Sequence, residues 1–384
     1  MTDYAITWLD ALVDNAFAKK ASDIHLEFRD GEVPFKLEVR VRISGDLVKW
    51  DGLEGLEGRA VVSRIKSVAN VGSGSVRKSE EGRYEHRMGA SQMDPNLTNE
   101  QYEEAIKELA RADLRLVVLP TVRGEKHVLR LPSISETPAI PQLGFSNENL
   151  HLVARLFGFA NGLVLFAGPV GAGKTTSMYS ALNFLGGEKK AAYSVEDPVE
   201  RKLDWVDQIE VNDGAGNSFA SILRSLRRSD LQVLMIGEIR DQETAYSAIQ
   251  ISIAGARVVS SIHANDSVAA IEAMLALSGA NPHQVMQSLR GIVSQRLVKR
   301  IHAECGGVGC VGCQNTGVAG RVPIHEVLPI TTEFAEAVAR GEGRAELMRL
   351  ARAAGMKSLR EDAQRRLAAG ETRADWVEEV LGSE

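Results

Sequence analysis

The sequence predicts an α/β fold, a parallel sheet covered by helices with a smaller α+β domain before it. Three observations predict it. From about residue 145, apolar strand-sized runs at 162–167, 190–195, 232–236 and 257–262 alternate with helical patterns at 174–186, 217–228, 241–254 and 266–278, the rhythm of strands joined by crossover helices. Before residue 137, short β patterns mix with helices. Between the two, SISETPAIPQLG (133–144) carries prolines and little periodicity, as a stiff connection does. The bounds that follow are an N-terminal domain over 1–132, a linker over 133–147 and a larger domain over 148–384.

Taken in order, FKLEVRVRI (35–43) alternates apolar and charged residues, as a half-buried strand does. Asn99–Ala112 is rich in Glu, Lys and Ala and reads as an exposed helix. LRLVVLP (114–120) and KHVLRLP (126–132) flank Thr121–Glu125, where Gly124 marks the turn of a hairpin. After residue 332, small amphipathic helices are predicted, stopped at Gly341, Gly355 and Gly370.

Composition narrows the function. Of 384 residues, 45 are Lys or Arg and 51 are Asp or Glu, a formal net charge of -6, and 44% are apolar. That is an ordinary globular mixture able to bury a core, and its acidity argues against a globally basic nucleic-acid binder. No apolar stretch approaches the roughly 20 residues of a membrane helix. The opening MTDYAITWLDALVDNAF lacks a basic start and an apolar block, so a cytoplasmic protein is expected, its membrane contacts made through partners.

The strongest local signal is GLVLFAGPVGAGKTTSMYSAL (162–182). Gly168-x4-Gly173-Lys174-Thr175 is a phosphate-loop pattern, set after an apolar strand and before a helix. Gly168, Gly171 and Gly173 let backbone N–H groups surround phosphates, Lys174 reaches the terminal phosphates, and Thr175, followed by Thr176, ligates Mg²⁺. In AAYSVEDPVER (191–201) an apolar strand ends in Glu196, suited to act as general base on a water. LQVLMIGEIRDQETA (231–245) ends its strand at Glu238, suited to the Mg²⁺ shell, and VVSSIHANDS (258–267) places His263 after a further strand. The chemistry expected is ATP binding and hydrolysis.

These segments, in this order, resemble the hexameric secretion ATPases of type II secretion and type IV pilus assembly. SQRLVKR (294–300), CVGCQNTGVAGRVPIHEVL (310–328) and GMKSLREDA (355–363) match as well, as do ASDIHLEF (21–28), VRVRISGDL (39–47) and LPTVRGEKHVLRL (119–131). The resemblance implies a RecA-like phosphate-loop ATPase domain behind a PAS-like N-terminal domain. It implies a homo-hexamer acting through an inner-membrane platform protein, with pilin or pseudopilin machinery served indirectly and no nucleic acid. It implies His263 as a γ-phosphate sensor, catalytic roles for Arg224 and Arg228, and trans or sensor roles among Arg40, Arg42, Arg115 and Arg130. The chain departs from the family at Asp230-Leu231-Gln232, where Asp-Pro-Asp is usual, and in an insertion around residues 90–111. Two other readings stay open here: a conjugative or effector type IV secretion ATPase, and a nucleic-acid motor on the same core.

All three cysteines, Cys305, Cys310 and Cys313, fall in one short stretch. Assembly-type members of the family often hold zinc with two Cys-x2-Cys pairs. Here Cys310-x2-Cys313 and a single Cys305 would need a fourth ligand, either His302 or His325, to complete a tetrahedral site. A metal-free loop of reduced thiols is the alternative.

Overall fold

The computed structural model describes residues 2–29, 36–72, 78–89, 91, 111–132, 137–187, 190–313 and 315–382, and places the chain in two units, Met1–Ser135 and Glu136–Glu384. In the first unit α1 (Thr2–Ala18) sets Ala5, Leu9, Leu12, Val13 and Ala16 along one buried face, the three- and four-residue spacing of a core-facing helix. Six strands follow: β1 (Asp23–Arg29), β2 (Lys36–Ile43) and β3 (Asp46–Glu54), then, after α2 (Gly55–Val68), β4 (Glu80–Arg87), β5 (Arg111–Thr121) and β6 (Gly124–Arg130). They form one sheet in the order β3-β2-β1-β6-β5-β4. Ile24, Leu26, Val39, Val41, Leu114, Leu116 and Leu129 share its inner face and pack with Leu9, Val13, Val61 and Ile65. Because side chains alternate across a strand, Arg40, Arg42, Arg115 and Arg130 share the other face. The expected helix over Asn99–Ala112 falls outside the described residues except for Arg111 and Ala112, which open β5 instead; Ala112 is buried among the apolar alternate positions of that strand.

The second unit begins inside the stretch read as linker. Ile140–Leu143 forms a 3₁₀ turn, and both end residues are buried in the core. Two apolar side chains three residues apart share one face of such a turn, so this segment packs rather than merely connects. The elements then run α3 (Asn147–Gly158), β7 (Gly162–Ala167), α4 (Lys174–Leu185), β8 (Ala192–Glu196), β9 (Asp207–Glu210), α5 (Phe219–Leu226), β10 (Val233–Ile236), α6 (Gln242–Ile253), β11 (Arg257–Ile262), α7 (Ser267–Ser278), α8 (Pro282–Ser288), β12 (Leu289–Ile301) and β13 (Val318–Pro329). Four helices close the chain: α9 (Thr332–Ala339), α10 (Arg344–Ala353), α11 (Leu359–Ala368) and α12 (Ala374–Leu381). Seven strands order as β13-β12-β7-β11-β10-β8-β9, all parallel except β13, which runs antiparallel to β12.

Helices cover both faces. Leu163, Leu165, Leu234, Ile236 and Val258 pack into one core, while Val164, Phe166, Val233, Met235 and Val259 pack into another. On β8, Val195 faces the first core and Ala192 the second. Strands buried on both sides read as continuous apolar runs, which is why β7, β8, β10 and β11 are visible in the sequence. The long pair β12–β13 is not: its strands carry Arg, Lys, Gln, Ser, His and Glu among the apolar residues, and that mixture hides the period. No helix among the described residues is long and apolar enough to cross a membrane.

Candidate active site

The carboxyl ends of β7, β8, β10 and β11 meet at one edge of the parallel sheet, where such sheets bind ligands. The phosphate loop leaves β7 at Gly168 and enters α4 at Lys174. β12 crowds two of its glycines. Gly168 has φ +154, and a Cβ there would lie 2.7 Å from the Gln295 carbonyl oxygen. Gly173 is left-handed at φ +86, and a Cβ there would lie 3.1 Å from Gln295 Nε2. Thr175 and Thr176 occupy the first turn of α4, half-buried and exposed respectively.

Lys174 is buried, and its Nζ donates to the carbonyls of Gly168 at 2.7 Å and Pro169 at 2.9 Å. Burial pushes the ammonium down to about 8; the Glu238 carboxylate draws it back up, and the Arg296 guanidinium pushes it further down. Glu238, two residues beyond β10, is ion-paired to Arg240 and lies 3.5 Å from His263 Nε2. Arg240 also stands 3.9 Å from Asp197. A cavity of 530 Å³ is lined by Pro169 and Val170 of the phosphate loop and by His263, Ala264, Asn265 and Ala269. Lys174, Glu238 and His263, far apart in the chain, therefore converge on one edge, with a hollow large enough for a phosphate chain between two of their loops.

Glu196 ends β8 with its carboxylate turned inward and 2% of the residue exposed. Tyr179 Oη and Ser194 Oγ each donate to it at 2.5 Å, and Gln208 Nε2 at 3.0 Å. Both oxygens are thus engaged by internal donors. Arg224 and Arg228 are exposed, at the end of α5 and just beyond it. Arg224 pairs with Glu243 at 3.2 Å, so this segment is surface rather than part of the Lys174–Glu238–His263 group. In the first unit Asp23 stands opposite Arg42 on β2 and Arg130 on β6, and Arg130 stands opposite Arg115 on β5. Asp23 pairs with Arg42 at 3.5 Å and with Arg130 at 3.4 Å, and Arg40 pairs with Glu27.

The cysteines meet. Ligand atoms of His302, Cys305, Cys310 and Cys313 all lie within 4.8 Å of one another. The Cys313 sulfur is 3.8 Å from that of Cys305 and 3.7 Å from that of Cys310, and His302 Nδ1 is 3.5 and 3.6 Å from the sulfurs of Cys305 and Cys310. Four ligands at Zn–S and Zn–N bond lengths would stand about 3.3–3.8 Å apart at the corners of a tetrahedron, so the set fits zinc. Backbone N–H groups of Cys310 and Gly317 donate to the Cys313 sulfur, each at 3.2 Å. His325, the other ligand considered, is excluded. It is buried on β13, its ring 4.0 Å from that of Phe145, because its strand position turns it into the core.

Sequence reasoning missed Tyr179, Gln208 and Arg240, which hold the two acids, and Gln295 and Arg296, which back the phosphate loop. Only the last two carried a signal, inside SQRLVKR; the partners of Glu196 sit at unremarkable positions on a helix and an edge strand.

The family model described as "Type II/IV secretion system protein" matches residues 2–382. The type II secretion system protein HxcR of Pseudomonas aeruginosa is 35% identical over 387 residues, covering 98% of this chain and 76% of its own. The type IV pilus assembly ATPase PilB of Thermus thermophilus is 33% identical over 398 residues, covering 96% of this chain but 42% of its own. Among solved structures, the ATPase DotB of Yersinia pseudotuberculosis superposes with a TM-score of 0.71 at 20% identity, over 97% of this chain and 92% of that one, a likeness of fold.

Proposed function

The chain belongs to the type II/IV secretion system protein family, and from that premise we propose that it is an ATP-hydrolysing motor that powers assembly of a type IV pilus or of the pseudopilus of type II secretion. The observation that carries this reading is the convergence of Lys174, Glu238 and His263 around the phosphate loop. A nucleotide's phosphates take the loop's N–H groups and Lys174. Thr175 and Glu238 are proposed to hold Mg²⁺, which when bound neutralises charge on the phosphates. His263, on the cavity wall, is proposed to sense the terminal phosphate. Glu196 is the proposed base; its three donors hold the carboxylate in place, and it takes a proton from water only when one of them lets go.

The active assembly is proposed to be a homo-hexamer docked on an inner-membrane platform protein, at the cytoplasmic side. One of Arg40, Arg42, Arg115 and Arg130 is proposed to reach the nucleotide of a neighbouring copy. His302, Cys305, Cys310 and Cys313 are proposed to hold structural zinc, supported by the closeness of their ligand atoms, all within 4.8 Å of one another. A full Cys₃His set leaves no open position for catalysis.

Steady-state ATPase assays with nucleotide binding measured alongside test the reading. Lys174→Ala is expected to weaken nucleotide binding and to lose turnover. Glu196→Gln and Glu238→Gln are expected to bind ATP and lose at least about 10²-fold in turnover, as removal of a general base or metal-shell acid does. Glu196→Gln also sets an amide N–H₂ where one carboxylate oxygen accepts from Tyr179 or from Ser194 and Gln208, so its melting temperature belongs in the same experiment. Near-normal turnover by a folded Glu196→Gln chain would move the base to Glu238, and absence of ATPase activity in the wild-type hexamer would refute the motor.

A further inference from the structure

SQRLVKR (294–300) supplies none of the groups assigned to ATP chemistry, yet its residues touch both loops of the candidate active site. β12 runs parallel to β7, with Ser294 opposite Ala167, the last residue before the phosphate loop. Gln295 and Arg296 therefore continue alongside the loop itself. Gln295 is 1% exposed, and its Nε2 donates to the Ala172 carbonyl at 2.6 Å. Arg296 is 7% exposed. Its Nη1 donates to the Gln295 carbonyl at 2.9 Å, and its Nη2 to the Asn265 carbonyl at 2.7 Å. Asn265 lies two residues beyond His263. A Cβ added at Gly168 would come within 3.3 Å of the same guanidinium, which is thus wedged between the start of the phosphate loop and the histidine loop.

The neighbours of Arg296 hold the far side of the histidine loop. Glu326 on β13, opposite Ser294, accepts from the Ser267 N–H at 2.8 Å, and the hydroxyls of Ser267 and Ser294 are 2.9 Å apart. Asp266 caps α7 by accepting from Ala269 N–H at 2.9 Å. The Glu326 and Asp266 carboxylates also offset the charge of the buried guanidinium. An isolated buried cation is strongly disfavoured, and this one is kept where its planar fork satisfies two carbonyls at once. Two fixed directions from one group are a property of arginine that lysine lacks.

We propose that Arg296, braced by Gln295, is a positioning residue that sets the His263 loop against the phosphate loop, so that His263 meets the terminal phosphate only while this bridge is made. The proposal rests on the ATPase reading, but its main readout does not need turnover. Hydrogen exchange is followed across the whole chain at residues 168–176 and 263–267 with and without a non-hydrolysable ATP analogue, which carries the terminal phosphate that His263 is proposed to sense. In the wild type the analogue should protect both segments. In Arg296→Met it should still protect 168–176 while protection at 263–267 is lost. Turnover should fall by up to about 10²-fold with KM for ATP little changed, the loss typical of a misplaced catalytic group. Arg296→Lys, which restores the charge and one of the two bonds, should recover part of it. In combination with His263→Ala, Arg296→Met should cost nothing further, because both act at one point. Equal protection of 263–267 in wild type and variant, or losses that multiply in the double variant, overturns the proposal. Should Arg296→Met fail to fold, Arg296→Lys takes its place in the exchange comparison, and protection of 263–267 equal to wild type overturns the proposal there too. A wild type that binds the analogue without hydrolysing ATP sinks the motor reading and leaves the exchange test standing.

Discussion

Lys174 must carry charge where burial opposes it. With its ammonium pushed down to about 8, the side chain is about half neutral near pH 8 and regains its proton beside a polyanion. The sign follows: nucleotide binding takes up a proton above pH 8, and affinity falls as pH rises through 8 toward the higher value of the bound state. Calorimetric titrations with ADP near pH 8.5, in two buffers of different ionisation enthalpy, should differ by up to one proton per site, and Lys174→Met should abolish the difference. Affinity constant from pH 7 to pH 9 would sink the idea. Glu196 presents the opposite situation. Its carboxylate is buried among Tyr179, Ser194 and Gln208, so its charge is compensated by donors that also restrain it. The open acid is Glu238, shared between Arg240 and His263. Two carboxylates at neighbouring strand ends thus sit in unlike settings, which is how one edge supplies groups with different tasks.

At the scale of elements, the β12–β13 pair braces the phosphate loop at one end through Gln295 and carries the Cys₃His cluster in the loop at the other. Purified protein is expected to contain about one zinc per chain, with thiols that titrate only after chelation. Elemental analysis near zero with three freely titrating thiols would rule the metal out. In the first unit the interior of α1 and β4 holds a second charged device. His86, fully buried, lies 2.8 Å from Asp14 and 3.4 Å from Asp10. Burial alone would push the imidazole down, but the two carboxylates hold it above its ordinary value. Asp14 is held below its ordinary value: burial opposes this, and His86, Ser91 and the Gly89 and Ser91 N–H groups prevail. A raised histidine stabilises fully below its unfolded value and loses that contribution as pH rises through its folded value; the lowered Asp14 adds stability that is lost as pH falls through its own. The His86 contribution to stability should therefore decline from pH 6.5 upward, against the buried His25, His127 and His325, whose lowered values make stability rise through the same range. His86→Gln should remove that declining component and cost about 3–5 kcal/mol at pH 6, the range for breaking a buried pair. An unchanged pH slope in the variant would exclude His86 as its source.

For the whole molecule, phosphoryl transfer in general gains from positive charge placed against the terminal phosphate, and an arginine supplied in trans adds about 10³–10⁵ in rate. On the outer face of the first unit's sheet, Arg42, Arg130 and Arg115 follow one another across neighbouring strands with only Asp23 between the first two. Such crowding of like charge suits an anion. Single changes of Arg40, Arg42, Arg115 and Arg130 to Ala should give at least one chain that binds ATP but barely hydrolyses it. Mixing that chain with Glu196→Gln should restore part of the turnover, since some sites would combine an intact arginine with an intact acid. A fully active monomer in sedimentation at assay concentration would defeat the ring.

What the sequence determined by itself was local or doubly buried. Strands covered on both faces must be apolar throughout, so β7, β8, β10 and β11 were legible, and their carboxyl ends located Lys174, Glu196, Glu238 and His263 without coordinates. The glycines of 168–173 followed from the phosphate chemistry, and His302 was within reach as the residue completing the cysteine spacing. Tertiary structure alone decided which groups meet. It folded Glu196 onto Tyr179 and Gln208, set Glu238 beside His263, placed His325 in the core away from the cysteines, and laid β12 against the phosphate loop. The physical reason is separation along the chain. Burial and turn chemistry act on neighbouring residues and leave a periodic trace, whereas the bond from Arg296 to Asn265 joins residues 31 apart and exists only once the strands have found their order.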